Sequence, residues 1–192
     1  MDHREAEELI ALIRSERPRL AAVGEVGLDH WIVKTASEEE QAAQRELQRE
    51  LFLRFVDLAV ALDLPLNVHS RSAGREVISA LLNRGARRVQ MHAFDGKAAT
   101  ALPAVEAGYF FSVPPSVVRS RQKQKLVRHL PLACLLLESD SPVLGPDAGV
   151  RNEPANTVLA LRAVAQIKEI PERQVAEAVG ENTDRLYRLP RL

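Results

Sequence analysis

A chain of 192 residues can bury one sizeable core, and a single domain over 1–192 is expected. Its 26 Lys and Arg balance 26 Asp and Glu, so no global field draws it toward nucleic acid or a membrane surface, and any polyanion site has to be local. The lone cysteine, Cys134, excludes an internal disulfide, no apolar run reaches bilayer length, and MDHREAEELI lacks a signal core, so an intracellular protein, nuclear or cytoplasmic, is expected.

The chain opens with a segment of helical spacing over residues 4–15, followed by an apolar run of strand type over 20–26. Residues 38–62 repeat Leu47, Leu51, Phe55, Leu58 and Leu62 every three or four positions, and Ser37 with Glu40 reads as the capping box that starts this helix. A second run, 64–68, leads to a helix over 74–83 that Gly85 stops. A third, 88–92, leads to a helix over 97–107 that Pro103 is expected to kink or delay. A fourth run, 109–113, precedes a helix over 117–130, and a fifth, 133–137, precedes helices over 153–169 and 171–179, each with a proline near its start. Apolar runs joined by crossover helices predict a parallel sheet buried on both faces. A doubly wound sheet and part of a (β/α)8 barrel both fit; length favours the former, since a full barrel takes about 250 residues.

Both architectures carry function at the carboxyl ends of the strands. The first run ends GEVGLDH, with Glu25 and Asp29; the second NVHSR, with His69 and Arg71; the third VQMHAFDG, with His92 and Asp95; the fifth LLLESDSP, with Glu138 and Asp140. The fourth offers only a serine. A single histidine at a strand end is ordinarily a packed, hydrogen-bonded residue. Two histidines and two acids on separate strands form a mixed N/O donor set of the kind Zn2+ or Mn2+ takes. A doubly wound sheet uses one crevice, whereas a barrel brings every strand end to one axis. The donors favour the barrel.

The blocks GEVGLD, LPLNVHSR, HAFDG, GYFFS, LESDSP and RNEP, in this order and spacing, resemble the TatD family of metal-dependent deoxyribonucleases from about Ala21 onward. VHSRSAGR and VPPSVVRSRQKQKLV look closest to its eukaryotic third TatD-domain-containing branch. The resemblance implies a TIM-type barrel with a two-metal site filled by divalent ions (Zn, Mn or Mg). In it Glu25 is the bridging carboxylate, and His69, His92 and Asp140 are further metal ligands. Ser139 stands where the family usually has Thr and keeps the hydroxyl. Family members begin with a strand carrying His-x-His, and no such motif occurs in this sequence; the other histidines are His3, His30 and His129. An incomplete barrel is therefore expected, with about five of eight parallel strands and one well-held ion.

Phosphodiester hydrolysis of DNA is the expected activity, with Glu25 and Asp140 as catalytic residues, the latter able to accept the nucleophile's proton. Asp29 and Glu138 read as groups that orient ligands. Arg71 and Arg151 are substrate-binding candidates, because a guanidinium binds phosphate bidentately; ion pairs within the fold are the competing reading. The basic run from Arg119 to Lys125 reads as a solvated helix face, Trp31 as a loop anchor or a base-stacking residue, and Cys134 as buried. Two other functions stay open: a metal-dependent hydrolase of esters, lactones or amides, and a catalytically impaired, non-enzymatic form. Exposed sheet edges would promote self-association.

Overall fold

In the computed structural model, which describes residues 1–32 and 37–188, five short strands pair in parallel in chain order. They are β1 (Val23–Gly27), β2 (Leu66–His69), β3 (Val89–Met91), β4 (Phe110–Val113) and β5 (Leu135–Leu137). The helices are α1 (His3–Glu16), α2 (Glu38–Ala61), α3 (Gly74–Asn83), α4 (Ala98–Glu106), α5 (Arg121–His129), α6 (Thr157–Lys168) and α7 (Glu172–Tyr187). Right-handed crossovers between successive parallel neighbours place the connecting helices on one face. The core agrees: Leu66, Val68, Val89, Met91, Phe111, Val113 and Leu135 join one cluster with Phe52, Phe55, Val77, Leu81, Ala104 and Val127 from the helices. Alternate strand residues turn to the other face, where Phe110 and Leu136 pack separately against Leu186 and Tyr187 of α7. The fold is α/β, and its sheet is the unreversed, one-sided arrangement of a barrel sector rather than a doubly wound sheet.

Local chemistry explains where most elements begin. Asp2 and Glu5 form a capping box that starts α1, and Ser37 with Glu40 does the same for α2. Pro103 lies inside α4 without ending it. The helix expected over 117–130 is divided into a 3-10 turn, Pro115–Val118, and α5, because the Ser120 hydroxyl accepts the Lys123 N–H and restarts the helix there. The last helix runs past 179 to Tyr187, with Gly180 inside it.

The two outer strands differ. Among the described residues β1 pairs only with β2, and Gly24 and Glu25 are exposed along it. β5 pairs only with β4, but α7 lies along its free side. Asn182 on α7 donates through Nδ2 to the Leu132 and Leu135 carbonyls at 2.9 and 2.7 Å. Each outer strand thus has one strand partner among the described residues, and α7 meets the β5 side at the Leu135 carbonyl. No helix among the described residues is long and apolar enough to cross a membrane.

Candidate metal centre

Glycines on each side of Glu25 let β1 lie against β2. A Cβ at Gly24 would stand 2.7 Å from the Asn67 Cβ, and one at Gly27 only 1.9 Å from the His69 carbonyl oxygen. Neither approach is possible for a residue with a side chain. Gly27 is in register with His69, so Glu25 is delivered beside that imidazole. His92 follows β3, its N–H donating to the Val68 carbonyl at 2.9 Å, and Glu138 follows β5, bonded the same way to Val113 at 3.3 Å. Parallel pairing thus brings four strand ends level.

His69 Nδ1 lies 2.7 Å from Glu25 Oε1, and its Nε2 lies 3.3 Å from Asp29 Oδ2. His92 Nδ1 lies 2.7 Å from Glu138 Oε2, while its Nε2 faces Asp140 Oδ1 at 3.4 Å and Glu25 Oε1 at 3.8 Å. The two rings stack with centroids 6.2 Å apart. Glu138 is itself fixed. It accepts from the Ser112 hydroxyl at 2.6 Å and the Ala93 N–H at 3.0 Å; Ser112 accepts from Gln90 at 3.1 Å, and Gln90 accepts from the Tyr187 hydroxyl. A hydrogen-bonded line thus runs from α7 to the His92 ring.

These contacts set the charges. The hydrogen bond to His69, helped by the charge of His92, holds Glu25 below the usual carboxylate range against the opposing effect of burial. The bond to Glu25 raises His69, with burial opposing and the Glu25 and Asp29 charges assisting. Burial disfavours charge on His92, but the bonds to Asp140 and Glu138 and the nearby carboxylate charges outweigh it and push the imidazole up to about 10. The carboxylates thus favour positive charge on both rings, and a divalent cation can supply that charge instead.

Glu25, His69 and His92 each offer one donor atom, and the three atoms lie within 4.8 Å of one another. Two imidazoles and a carboxylate suit a borderline divalent ion, and the grip of Glu138 on Nδ1 leaves Nε2 of His92 pointing at the shared centre. The donor set fits a metal ion. Asp140 adjoins His92 without joining the group of three, and its backbone is held at φ 52°.

A cavity of about 520 Å3 opens over this centre, lined among others by Glu25, His69, Arg71, His92, Asp95, Lys123 and Asp140. Arg71 sits on its rim with its guanidinium 4.9 Å from the Trp31 ring centre. Arg151 is exposed and lies outside the lining. The reading of the Arg119–Lys125 run as a solvated face is corrected at Lys123. That residue shares the buried side of α5 with Leu126 and Val127, and its Nζ donates to the Ala93 carbonyl at 2.8 Å. The three-and-four spacing of Lys123 to Leu126 and Val127 is the sequence signal for it. Ser112, Gln90 and Tyr187, the support of Glu138, carried no comparable signal.

The sequence profile of the TatD related DNases matches residues 1–188. The chain belongs to the TatD family. It is 48% identical over 178 residues to the deoxyribonuclease TATDN3 of Homo sapiens, covering 93% of this chain and 64% of the human protein. It is 31% identical over 192 residues to YabD of Bacillus subtilis, an uncharacterized metal-dependent hydrolase, covering 95% of this chain and 72% of that one. The crystal structure of YJJV, a TATD homolog from Escherichia coli, superposes with a TM-score of 0.86 at 27% identity, over 99% of this chain and 72% of that one. This TatD chain thus spans less than two thirds of the length of the human relative.

Proposed function

We propose that this TatD chain hydrolyses phosphodiester bonds of DNA, using a divalent ion held by Glu25, His69 and His92. The observation that carries the reading is the convergence of those three donors at neighbouring strand ends, with Asp140 adjoining. The donor set favours Zn or Mn over Mg, which prefers oxygen ligands and retained waters. Such an ion, when bound, acidifies a coordinated water and offsets charge on the phosphate oxygens. Asp140 stands where a carboxylate can accept the proton of the attacking water. Glu25 contributes the carboxylate of the centre and holds the His69 ring. Glu138 fixes His92 in the tautomer that presents Nε2. Arg71 binds phosphate at the rim, and Arg151, outside the cavity, contacts a flanking phosphate of the strand. The chain acts as one domain, located in the nucleus or cytoplasm, and self-associates through β1.

The test is metal analysis together with a nuclease assay on the purified 192-residue chain. The expected result is about one tightly bound ion per chain, with DNA cleavage that chelation abolishes and that His69→Ala and His92→Ala each remove. A metal-loaded chain that cleaves a small ester but no DNA would replace the nuclease reading with the esterase one. A chain that binds no ion would leave the non-enzymatic reading in place.

A further inference from the structure

Lys123 is 9% exposed, which is unusual for a lysine. An ammonium has three donors, and Nζ uses one of them, on the Ala93 carbonyl. Glu138, Asp95 and Asp140 attract it electrostatically, yet among the described residues no carboxylate is paired with it directly. A buried cation with donors to spare is costly unless an anion meets it. Its place is the wall of the cavity over the candidate metal centre. A buried cation with unspent donors therefore stands at the wall of that cavity.

We propose that Lys123 seats a phosphate group of the substrate beside Glu25, His69, His92 and Asp140. The inference rests on the phosphodiesterase reading and makes it more specific. A cavity that also holds Glu25, Asp95 and Asp140 repels a phosphodiester, and a fixed ammonium at its wall offsets that repulsion. A neutral ester needs no such offset, so Lys123 selects for phosphate. Arg71, exposed at the rim, cannot supply charge at this depth. Lys123 is a positioning residue for the anion and no ligand of the metal.

The test uses the 192-residue chain stripped of metal by chelation, with inorganic phosphate titrated and followed by phosphorus NMR line broadening. Lys123→Met should weaken phosphate binding at least tenfold, with Lys123→Arg restoring part of the loss. Zinc stoichiometry should not change in either variant. With metal restored, Lys123→Met should raise KM for bis(p-nitrophenyl) phosphate far more than it lowers kcat, and leave p-nitrophenyl acetate hydrolysis as it was. Equal phosphate affinity in the wild-type and Lys123→Met proteins overturns the inference. So does a loss of fold or zinc in both Lys123→Met and Lys123→Gln, which would mark the lysine as structural. Failure of the nuclease reading looks different: no zinc or no phosphodiester cleavage in the wild-type chain, while phosphate binding still depends on Lys123.

Discussion

Glu138 accepts from the His92 ring, the Ser112 hydroxyl and the Ala93 N–H, so both of its carboxylate oxygens are engaged. In Glu138→Gln the charge is gone and the His92 tautomer is no longer imposed. Supporting residues of this kind are worth about 10–100-fold in metal affinity. Zinc competition against a chromophoric chelator should show that loss with the melting temperature little changed; unaltered affinity would remove Glu138 from the site. A second residue-scale expectation concerns Cys134, whose thiol burial pushes up to about 11. Iodoacetamide at pH 8 should leave it unmodified in the folded chain and modify it once urea unfolds the protein. His69, His92 and Asp140 stand out in the sequence because each lies at or just beyond the end of an apolar run, whereas Glu25 lies within β1, two residues before its end. Lys123 is not legible in the same way. Its spacing to Leu126 and Val127 is the signal, and it holds only once Ser120 restarts the helix as α5.

The strands of the sheet are legible as elements because buried parallel strands are continuously apolar, and their order is set once every crossover is helical. The cover at the end of the sheet is not. Asn182 lies beyond residue 179, where the sequence pattern ends the last helix, yet it is 3% exposed and reaches carbonyls 47 and 50 residues earlier in the chain. Its amide meets the Leu135 carbonyl at the start of β5 and the Leu132 carbonyl in the 3-10 turn before it, and Arg185 donates to the Ala133 carbonyl between them. Asn182→Ala removes the amide donor of the buried Leu135 carbonyl, a loss on the order of 1–3 kcal/mol, while the Leu132 carbonyl keeps the Leu135 N–H. A fall of several degrees in melting temperature is expected, whereas Thr183→Ala, which removes only a hydroxyl bonded within its own helix, should have a smaller effect. Equal melting temperatures for Asn182→Ala and the wild type would show that α7 does not depend on this contact.

At the scale of the whole molecule, the placement of polar groups governs both its response to pH and its association. Tyr109, Tyr187 and Cys134 all have folded-state values raised by burial, to about 12, 12 and 11. An acid harder to ionise when folded contributes stability that is complete below its unfolded value and lost as pH rises toward its folded one. In the metal-free chain stability should therefore decline from about pH 6.5 upward, where His92, raised to about 10, begins to hold its proton more tightly folded than unfolded, and more steeply from about pH 9; Tyr109→Phe should flatten only that upper part of the slope even while losing the bond to the Ala86 carbonyl. Association depends on the open edge. β1 has one partner, and its other side carries backbone groups that no described element covers, beside exposed Gly24 and Glu25. Such an edge is a template for a second chain. Sedimentation should give an average mass above the 21.3 kDa of one chain, rising with concentration. Asn182→Ala should steepen that rise, because freeing the β5 side gives each molecule two edges and permits chains of molecules rather than pairs. A mass of one chain at every concentration, in both proteins, would show that the β1 edge is closed to association.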